Sequence, residues 1–311
     1  MKKVRKIATI LLAATLAATA MTACSQSSTS SSSGSKSSSV KSTVVVGSKN
    51  FTESLILGEM YADALQNAGY TVQRKLNLGG TLVAHEALKS GQIDMYPEYT
   101  GTGLLDVLKA PQMNDAKKVY DYVKENYQKE WNLTWLNSTQ ANDSQGLVVT
   151  KEISKKYNIH TISDLAKAAP NIRFASVPEF NDRADGLKGL KATYGGFDFK
   201  SSQLFDYGIK YNVLLQGKAD ATVSFTTDGQ LTDSRLVLLK DDKNFWPPYY
   251  VCPVIRSSLV SKDPQIATVL NQVSAKLNSS TMQKLNAEVD IQKKKYQTVA
   301  KDFLKAQGLI K

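Results

Sequence analysis

Gly91-Gln-Ile-Asp94 leads to Tyr99-Thr100 and Gly103, and 126 residues further on Gly217-Lys-Ala-Asp220 leads to Phe225-Thr226 and Gly229. In each copy an Asp stands three residues after the first Gly, an aromatic eight after, a Thr nine after and a second Gly twelve after. An apolar run of helical type precedes both, over residues 82–88 and 211–215. A repeated helix–turn–strand unit that ends on an aromatic residue predicts two similar lobes, each presenting a ring at an equivalent place. That is the layout of a ligand cleft between two halves.

The flanking sequence agrees. Thr43-Val-Val-Val46 reads as a buried strand stopped by Gly47-Ser48. Leu57, Met60, Tyr61, Ala64, Leu65 and Ala68 fall at helical spacing, and Gly69-Tyr70 ends that helix. Residues 71–78 read as extended, Gly79-Gly80 as a turn, and residues 93–96 as a short strand. The pattern restarts after about residue 140, with strands at 146–150 and 172–176, an N-cap at Ser163-Asp164 and a helix over 183–193 stopped by Gly195-Gly196. Strand, Ser and helix follow one another at Val46-Gly47-Ser48 and again at Phe174-Ala175-Ser176. A strand at 249–255 and a helical tail over 264–307 close the chain. Strands alternating with helices predict an α/β fold, each lobe a mainly parallel sheet flanked by helices. The expected division is 43–140 with 246–311 as lobe 1 and 141–245 as lobe 2, with two hinge crossings near 140 and 245.

Residues 1–23 read as an export signal. Lys2, Lys3, Arg5 and Lys6 form a basic start, and the apolar run over 7–20 is short for a membrane span. Met21-Thr22-Ala23-Cys24 is similar to the lipobox of bacterial lipoproteins, with Met where Leu is usual; Cys24 would carry the lipid. Twelve of the 18 residues over 25–42 are Ser, so that segment reads as a flexible tether that buries no apolar surface. The expectation is a domain lipid-anchored to the outer face of the bacterial cell membrane. Without the signal the formal charge falls from +11 to +7. Such an excess suits anionic lipid or wall polymer, or simply a solvated surface. The basic residues lack the aromatic interleaving of a nucleic-acid groove, so no nucleic-acid partner is expected. Cys252 has no partner once Cys24 is assigned, which leaves no disulfide framework and no metal cluster.

In open α/β sheets ligands settle beyond the carboxyl ends of the strands. The loops to inspect are 48–53, 97–103, 142–145, 177–183, 225–228 and 246–250. Three of them carry Ser48-Lys-Asn-Phe-Thr-Glu53, Tyr96-Pro-Glu-Tyr-Thr-Gly-Thr-Gly103 and Pro247-Pro-Tyr249. In combination these resemble the substrate-binding proteins of ABC importers for glycine betaine, carnitine and choline (the OpuC/ProX type). The resemblance covers nearly all of residues 43–311. It implies a two-lobed, type II periplasmic-binding-protein-like fold, a quaternary-amine ligand, delivery to a permease with its cytoplasmic ATPase, and osmoprotectant uptake. It implies no cofactor; a monomer is expected.

A quaternary ammonium donates no hydrogen bond, so a protein holds it with ring faces, each contributing roughly 0.5–2 kcal/mol. The resemblance implies that Tyr99, Phe225 and Tyr249 form this cage, with Tyr99 facing Phe225 across the cation. A fourth ring of the family falls near Gln145, where this sequence has an amide; Gln145 is counted with the cage, its oxygen facing the cation unless another side chain fills the space. For the ligand carboxylate the resemblance implies Lys49 and Arg183, which occupy corresponding strand–loop–helix positions, with the hydroxyl of Thr102. An acid at 102 would favour choline; Thr leaves carboxylated betaines open. For each of these rings taken singly the alternative is ordinary core packing, and a lone Lys or Arg is as often a surface ion pair. The nearest alternative keeps the class and changes the ligand to choline or a more polar solute. A further alternative is a lipid-anchored sensor or adhesion module. No nucleophile elbow, P-loop or paired catalytic carboxylate occurs, and His85 and His160 lie away from these loops, so no enzyme is expected.

Overall fold

The computed structural model describes residues 41–311. The expected export signal, Cys24 and nearly all of the Ser-rich segment lie outside the described residues. Ten strands make two five-stranded sheets. The first has the order β2 (Thr71–Lys75), β1 (Thr43–Gly47), β3 (Met95–Tyr99), β10 (Val251–Arg256) and β4 (Leu133–Trp135). The second has the order β7 (Ser201–Leu204), β6 (Arg173–Ser176), β8 (Ala221–Phe225), β5 (Gln145–Thr150) and β9 (Leu236–Leu238). The two orders are the same topology written twice.

Each sheet is more mixed than the expected mainly parallel arrangement. β1 pairs parallel with β2 and β3, and β6 with β7 and β8, but β10 and β5 pair antiparallel with both neighbours. The cause lies in how the chain changes sheets. It crosses once between β4 and β5 and returns between β9 and β10. A strand entering from a crossing starts at the cleft and runs away from it, against β1, β3, β6 and β8, whose carboxyl ends face the cleft. The crossings lie side by side: Thr139 and Asp143 donate backbone N–H bonds to Val251 and Tyr249 at 2.9 and 3.0 Å, and Val251 donates back to Ala141 at 3.1 Å.

Helices α1 (Thr52–Asn67), α2 (Thr81–Lys89), α3 (Thr100–Thr102) and α4 (Ala116–Trp131) accompany the first sheet. α3 runs on as a π-helical turn, Gly103–Val107. α5 (Lys151–Tyr157), α6 (Ile162–Ala168), α7 (Pro178–Asp182), α8 (Leu187–Tyr194) and α9 (Lys210–Leu215) accompany the second. After α10 (Ser257–Lys262), the tail expected as one helical stretch over 264–307 is broken into α11 (Gln265–Ser274), α12 (Ser279–Asp290) and α13 (Tyr296–Ala306). α11, α12 and α13 all pack on α1. Sheet on one side and helices on the other explain why α1 is buried over most of its surface, with Ile56, Leu57, Met60, Tyr61 and Leu65 fully buried.

Two local expectations are corrected. The cap of α6 is Thr161, two residues before the expected Ser163-Asp164. Its hydroxyl accepts from Asp164 N, and the Asp164 carboxylate accepts from Thr161 N, a reciprocal box. The helix expected over 183–193 is two helices, because Arg183 takes an extended conformation (φ −68°, ψ 146°) and α8 starts only at Leu187.

The repeat has a concrete purpose. Gly91 and Gly217 adopt φ of +75° and +69°, which turns the chain out of α2 and α9 at no side-chain cost. The Asp three residues later then ties its strand to the parallel strand beside it, β1 in one sheet and β6 in the other. Asp94 accepts from Val45 N at 2.8 Å and donates its own N–H to Val45 O at 2.7 Å. Asp220 does the same with Arg173, at 2.8 Å in both directions.

Candidate functional site

β3 and β8 end at the cleft on Tyr99 and Phe225, and each is paired in register with the first residue of the strand that enters beside it. Val251 pairs with Tyr99 and Gln145 with Phe225. The loop after β1 brings Lys49, Asn50 and Phe51, and that after β6 brings Glu179 and Arg183. Tyr99, Phe225, Tyr249, Gln145, Lys49, Thr102 and Arg183 all line one cavity between the two sheets. Its free volume is about 30 Å³, room for roughly two waters. A solute of several heavy atoms therefore enters only when the sheets part or rings shift.

The rings are arranged differently from the simple face-off expected of Tyr99 and Phe225. Phe51 stands between them, its centroid 5.9 Å from each, tilted 36° to Tyr99 and stacked at 20° on Phe225. Tyr207 adds a further ring, 5.9 Å from Phe225 and 6.2 Å from Phe51. Sequence reasoning missed both as ring donors. Phe51 lies inside a motif already singled out, which was signal enough; Tyr207 sits in an irregular loop with no counterpart in the other copy. Aromatic surface absent at Gln145 is thus present at 51 and 207.

Tyr249 and Gln145 belong to one hydrogen-bonded knot. The Tyr249 hydroxyl donates to the Asp185 carboxylate. Gln145 Nε2 reaches Tyr249 Oη at 3.4 Å and the Asp185 carbonyl at 3.3 Å, and Trp246 Nε1 donates to that carbonyl at 2.8 Å. Burial raises the Tyr249 hydroxyl well above its ordinary range, reinforced by the Asp185 charge. It is therefore neutral and available as a ring wall.

The two cations are already paired. Arg183 is bidentate to Asp185, Nε and Nη2 each at 2.6 Å. Burial works against its charge, but Asp185 outweighs that and holds it above the usual guanidinium range. Arg183 also reaches across the cleft, Nη2 to Thr102 Oγ1 at 3.4 Å and Nη1 to Asp106 at 3.7 Å. Lys49 is buried against Glu98 at 2.5 Å and Thr81 Oγ1 at 3.0 Å, with its ammonium 5.1 Å from the Tyr99 ring centroid. Lys49 carries three N–H groups and these contacts use two, so one is left for an incoming acceptor.

Buried acids surround the cage. Tyr99 Oη donates to Glu53 at 3.0 Å, and Asp143 accepts from Thr227 Oγ1 at 2.6 Å. Burial raises both carboxyls, with the Asp228 charge adding to it at Glu53 and the Glu53 charge at Asp143. From the second sheet's side, Glu179 accepts from Thr81 N at 3.2 Å at the start of α2. His85 is on α2 with no partner for either ring nitrogen, packed on Tyr127 and Trp131, and burial lowers it to about 4.

Three comparisons bear on this geometry. The chain is 38% identical over 267 residues to the "Ergothioneine transport permease/ergothioneine binding protein EgtU" of Helicobacter pylori, covering 86% of this chain but only 48% of that one. It thus spans about half the length of that relative. It is 36% identical over 278 residues to a glycine-betaine-binding protein of Pseudomonas aeruginosa, covering 86% of this chain and 89% of the other. A solved structure titled as a glycine betaine/carnitine/choline ABC transporter matches with a TM-score of 0.70 at 31% identity, covering 86% of this chain and 99% of that one. The family described as the substrate-binding domain of ABC-type glycine betaine transport systems matches residues 42–306. A twice-written α/β topology, a ring-lined cavity between its sheets and this match over nearly the whole described chain lead to one conclusion: the protein belongs to that family of substrate-binding domains, with a type II periplasmic-binding fold.

Proposed function

We propose that this chain captures a betaine, a solute with a trimethylammonium group and a carboxylate, and delivers it to an ABC permease. Glycine betaine and carnitine are the simplest such solutes, and they appear in the names of relatives. The observation that carries the reading is the lining of one cavity. Six rings, from Phe51, Tyr99, Phe180, Tyr207, Phe225 and Tyr249, meet there with Lys49 and Arg183. Rings suit a cation that cannot donate hydrogen bonds. Lys49 and Arg183 suit its carboxylate, the Arg through a planar fork and the Lys through its remaining N–H.

Tyr99, Phe225 and Tyr249 are the cage residues in this reading, with Gln145 bracing Tyr249 rather than facing the cation. Thr102, beside Arg183, gives the carboxylate a hydroxyl. Choline, which lacks a carboxylate, would leave the donors of Arg183 and Lys49 without an acceptor, and is expected to bind more weakly. Residues 43–140 with 246–311 would move as one lobe and 141–245 as the other, closing on the solute. Cys24 and the Ser-rich segment after it support a lipid-anchored protein at the outer face of the cell membrane, acting as a monomer in osmoprotectant uptake.

The test is titration of the purified protein with glycine betaine, carnitine, choline and proline, following Trp246 fluorescence. Trp246 is bonded to the Asp185 carbonyl and so reports on the Arg183–Asp185–Tyr249 knot. Saturable quenching or enhancement by the two carboxylated betaines, weaker for choline and absent for proline, is the expected result. A response to none of them removes the reading.

A further inference from the structure

The charges around the cage do not balance, and the excess is buried acid. Asp143 lines the cavity of the rings and also an adjoining chamber, which reaches Glu53, Lys210, Asp228 and Asp290. The cations that line the two spaces are Lys49, Arg183 and Lys210, and each faces a carboxylate of its own: Glu98 at 2.5 Å, Asp185 at 2.6 Å and Asp228 at 2.9 Å. Lys210 keeps N–H groups to spare, but its charge is answered by Asp228. Glu53 and Asp143, 3% and 4% exposed, have only neutral partners among the described residues. Glu53 accepts from Tyr99 Oη at 3.0 Å and from Asn286 Nδ2 at 2.9 Å. Asp143 Oδ1 accepts from the Thr227 hydroxyl at 2.6 Å and the Thr227 N–H at 3.3 Å, and among the described residues nothing donates to Oδ2.

A buried carboxyl without a counter-charge keeps its proton rather than ionise. Of the two, Asp143 is the better holder. Burial favours its neutral form first of all, and the charges of Glu53 on α1 and of Asp228 act the same way, against the Thr227 bonds. The other groups facing this corner give no relief. The Tyr99 and Tyr211 hydroxyls are neutral, raised well above their ordinary range by burial, and Asp290 on α12 is one more acid. Across the ring cavity Lys49 and Arg183 stand in their own pairs, and Glu179 adds an acid from α7. A trimethylammonium among Tyr99, Phe225 and Tyr249 brings the missing positive charge into the cavity that Asp143 lines. Opposite charge within roughly 4–6 Å favours the ionised carboxylate.

We infer that capture is an exchange of cations: the empty site holds a proton on the Asp143 carboxyl, and the quaternary ammonium of the solute displaces it and takes Asp143 as counter-ion. The O–H bond of that carboxyl breaks, its electron pair stays on the carboxylate, and the proton passes to a base in the surrounding water. The inference rests on the betaine reading of the cavity and adds to it a specificity-determining residue and a dependence on pH. With the solute bound, Asp143 titrates at lower pH than in the empty protein. Between those two points affinity rises with pH, by up to about tenfold per unit, and outside them it is level.

Calorimetric titration of the full protein with glycine betaine between about pH 5 and 8, at each pH in two buffers of different ionisation heat, counts the protons released. Release of about half a proton or more per solute is expected within that range, with affinity rising over the same span. The probe 3,3-dimethylbutanoate, which has a neutral tert-butyl group in place of the trimethylammonium, should release none. Asp143→Asn keeps the shape and an acceptor for Thr227. It should abolish the release, bind glycine betaine within about twofold of the parent at the acid end, and at least about tenfold more weakly at the alkaline end. Glu53→Gln removes a charge that holds the proton on Asp143 and should move the release to lower pH, whereas a merely loosened fold would lose affinity equally at every pH. Glycine betaine bound with no proton released anywhere in the range, or a release that persists in Asp143→Asn, overturns the exchange and leaves the cage standing. Failure of glycine betaine to bind at all overturns the cage, and the exchange with it.

Discussion

Glu179 Oε1 accepts a hydrogen bond from the Thr81 backbone N–H at 3.2 Å, joining a helix of the second sheet to the first turn of a helix beside the first sheet. α2 has no side-chain cap of its own, its N-cap position being Gly80. A carboxylate from across the cleft supplies the missing acceptor where the helix dipole favours negative charge. The contact exists only while the sheets are together. It is thus a latch as well as a cap.

Gly80 is the residue that lets the latch form. A Cβ there would lie 1.4 Å from Glu179 Oε1. Gly80→Ala is therefore expected to turn the flexible end of the Glu179 side chain off the Thr81 N–H and break the latch, lowering betaine affinity with little change in melting temperature. Glu179→Ala alone should have the same effect, and Gly80→Ala/Glu179→Ala no larger one. Small-angle scattering with and without ligand measures closure directly, and a normal compaction of Gly80→Ala would refute the latch.

Phe51 is expected to matter as much as the cage residues read from the sequence. It contacts both Tyr99 and Phe225, so Phe51→Ala removes a ring and the spacer between two others. Each lost ring contributes roughly 0.5–2 kcal/mol, about two- to thirtyfold in affinity. Tyr99→Ala and Phe51→Ala should both fall in or above that range by calorimetry. Phe51→Ala binding like the parent would return the cage to the three rings first expected.

The Lys49–Glu98 pair is buried on both sides, with side chains 4% and 0% exposed. Removing one partner leaves an uncompensated charge in the interior, a loss of about 3–5 kcal/mol. Glu98→Gln is expected to lower the urea midpoint by a corresponding amount, and Lys49→Met in the same chain to restore most of it. If Glu98→Gln alone proves neutral, the pair is not what holds this end of the cavity.

His85 makes stability depend on acid. Burial lowers its pKa from 6.5 in the unfolded chain to about 4 in the fold. The unfolded chain thus takes up the proton first. Stability present above pH 6.5 is lost as pH falls towards 4, by on the order of 2 kcal/mol. His85→Phe should flatten that acid limb in melts between pH 7 and 4, because neither ring nitrogen has a partner to lose. An unchanged limb would mean that other groups set it.

The repeat was legible because each of its letters has a backbone task. Gly91 and Gly217 need positive φ, and Asp94 and Asp220 each lock one strand to another through two reciprocal bonds. Local demands of that kind leave their mark at fixed spacing. The placement of Tyr207 left none, since its ring meets Phe51 and Phe225 only after two distant segments close. Arg183 was found but assigned a helix, because nothing local announces that pairing with Asp185 goes with an extended residue. The same holds for α6, where Thr161-Ile-Ser-Asp164 spells a box one could read, yet Ser163-Asp164 is as good a cap in isolation. The mixed sheets follow from the crossings, a property of chain path rather than of any strand's composition.

The pairing of Lys49 with Glu98 and of Arg183 with Asp185 has a consequence for the medium in which the protein works. Each of these two cations carries its counter-charge with it, so the pairs present directed donors while adding no net charge to the cavity. A zwitterionic solute, itself neutral overall, then moves between water and protein without displacing mobile ions. Dissolved salt weakens attraction between separated net charges, within about 8 Å at physiological strength, and has little hold on such an exchange. Capture should therefore persist as the surroundings grow saltier, the condition under which a cell most needs compatible solute.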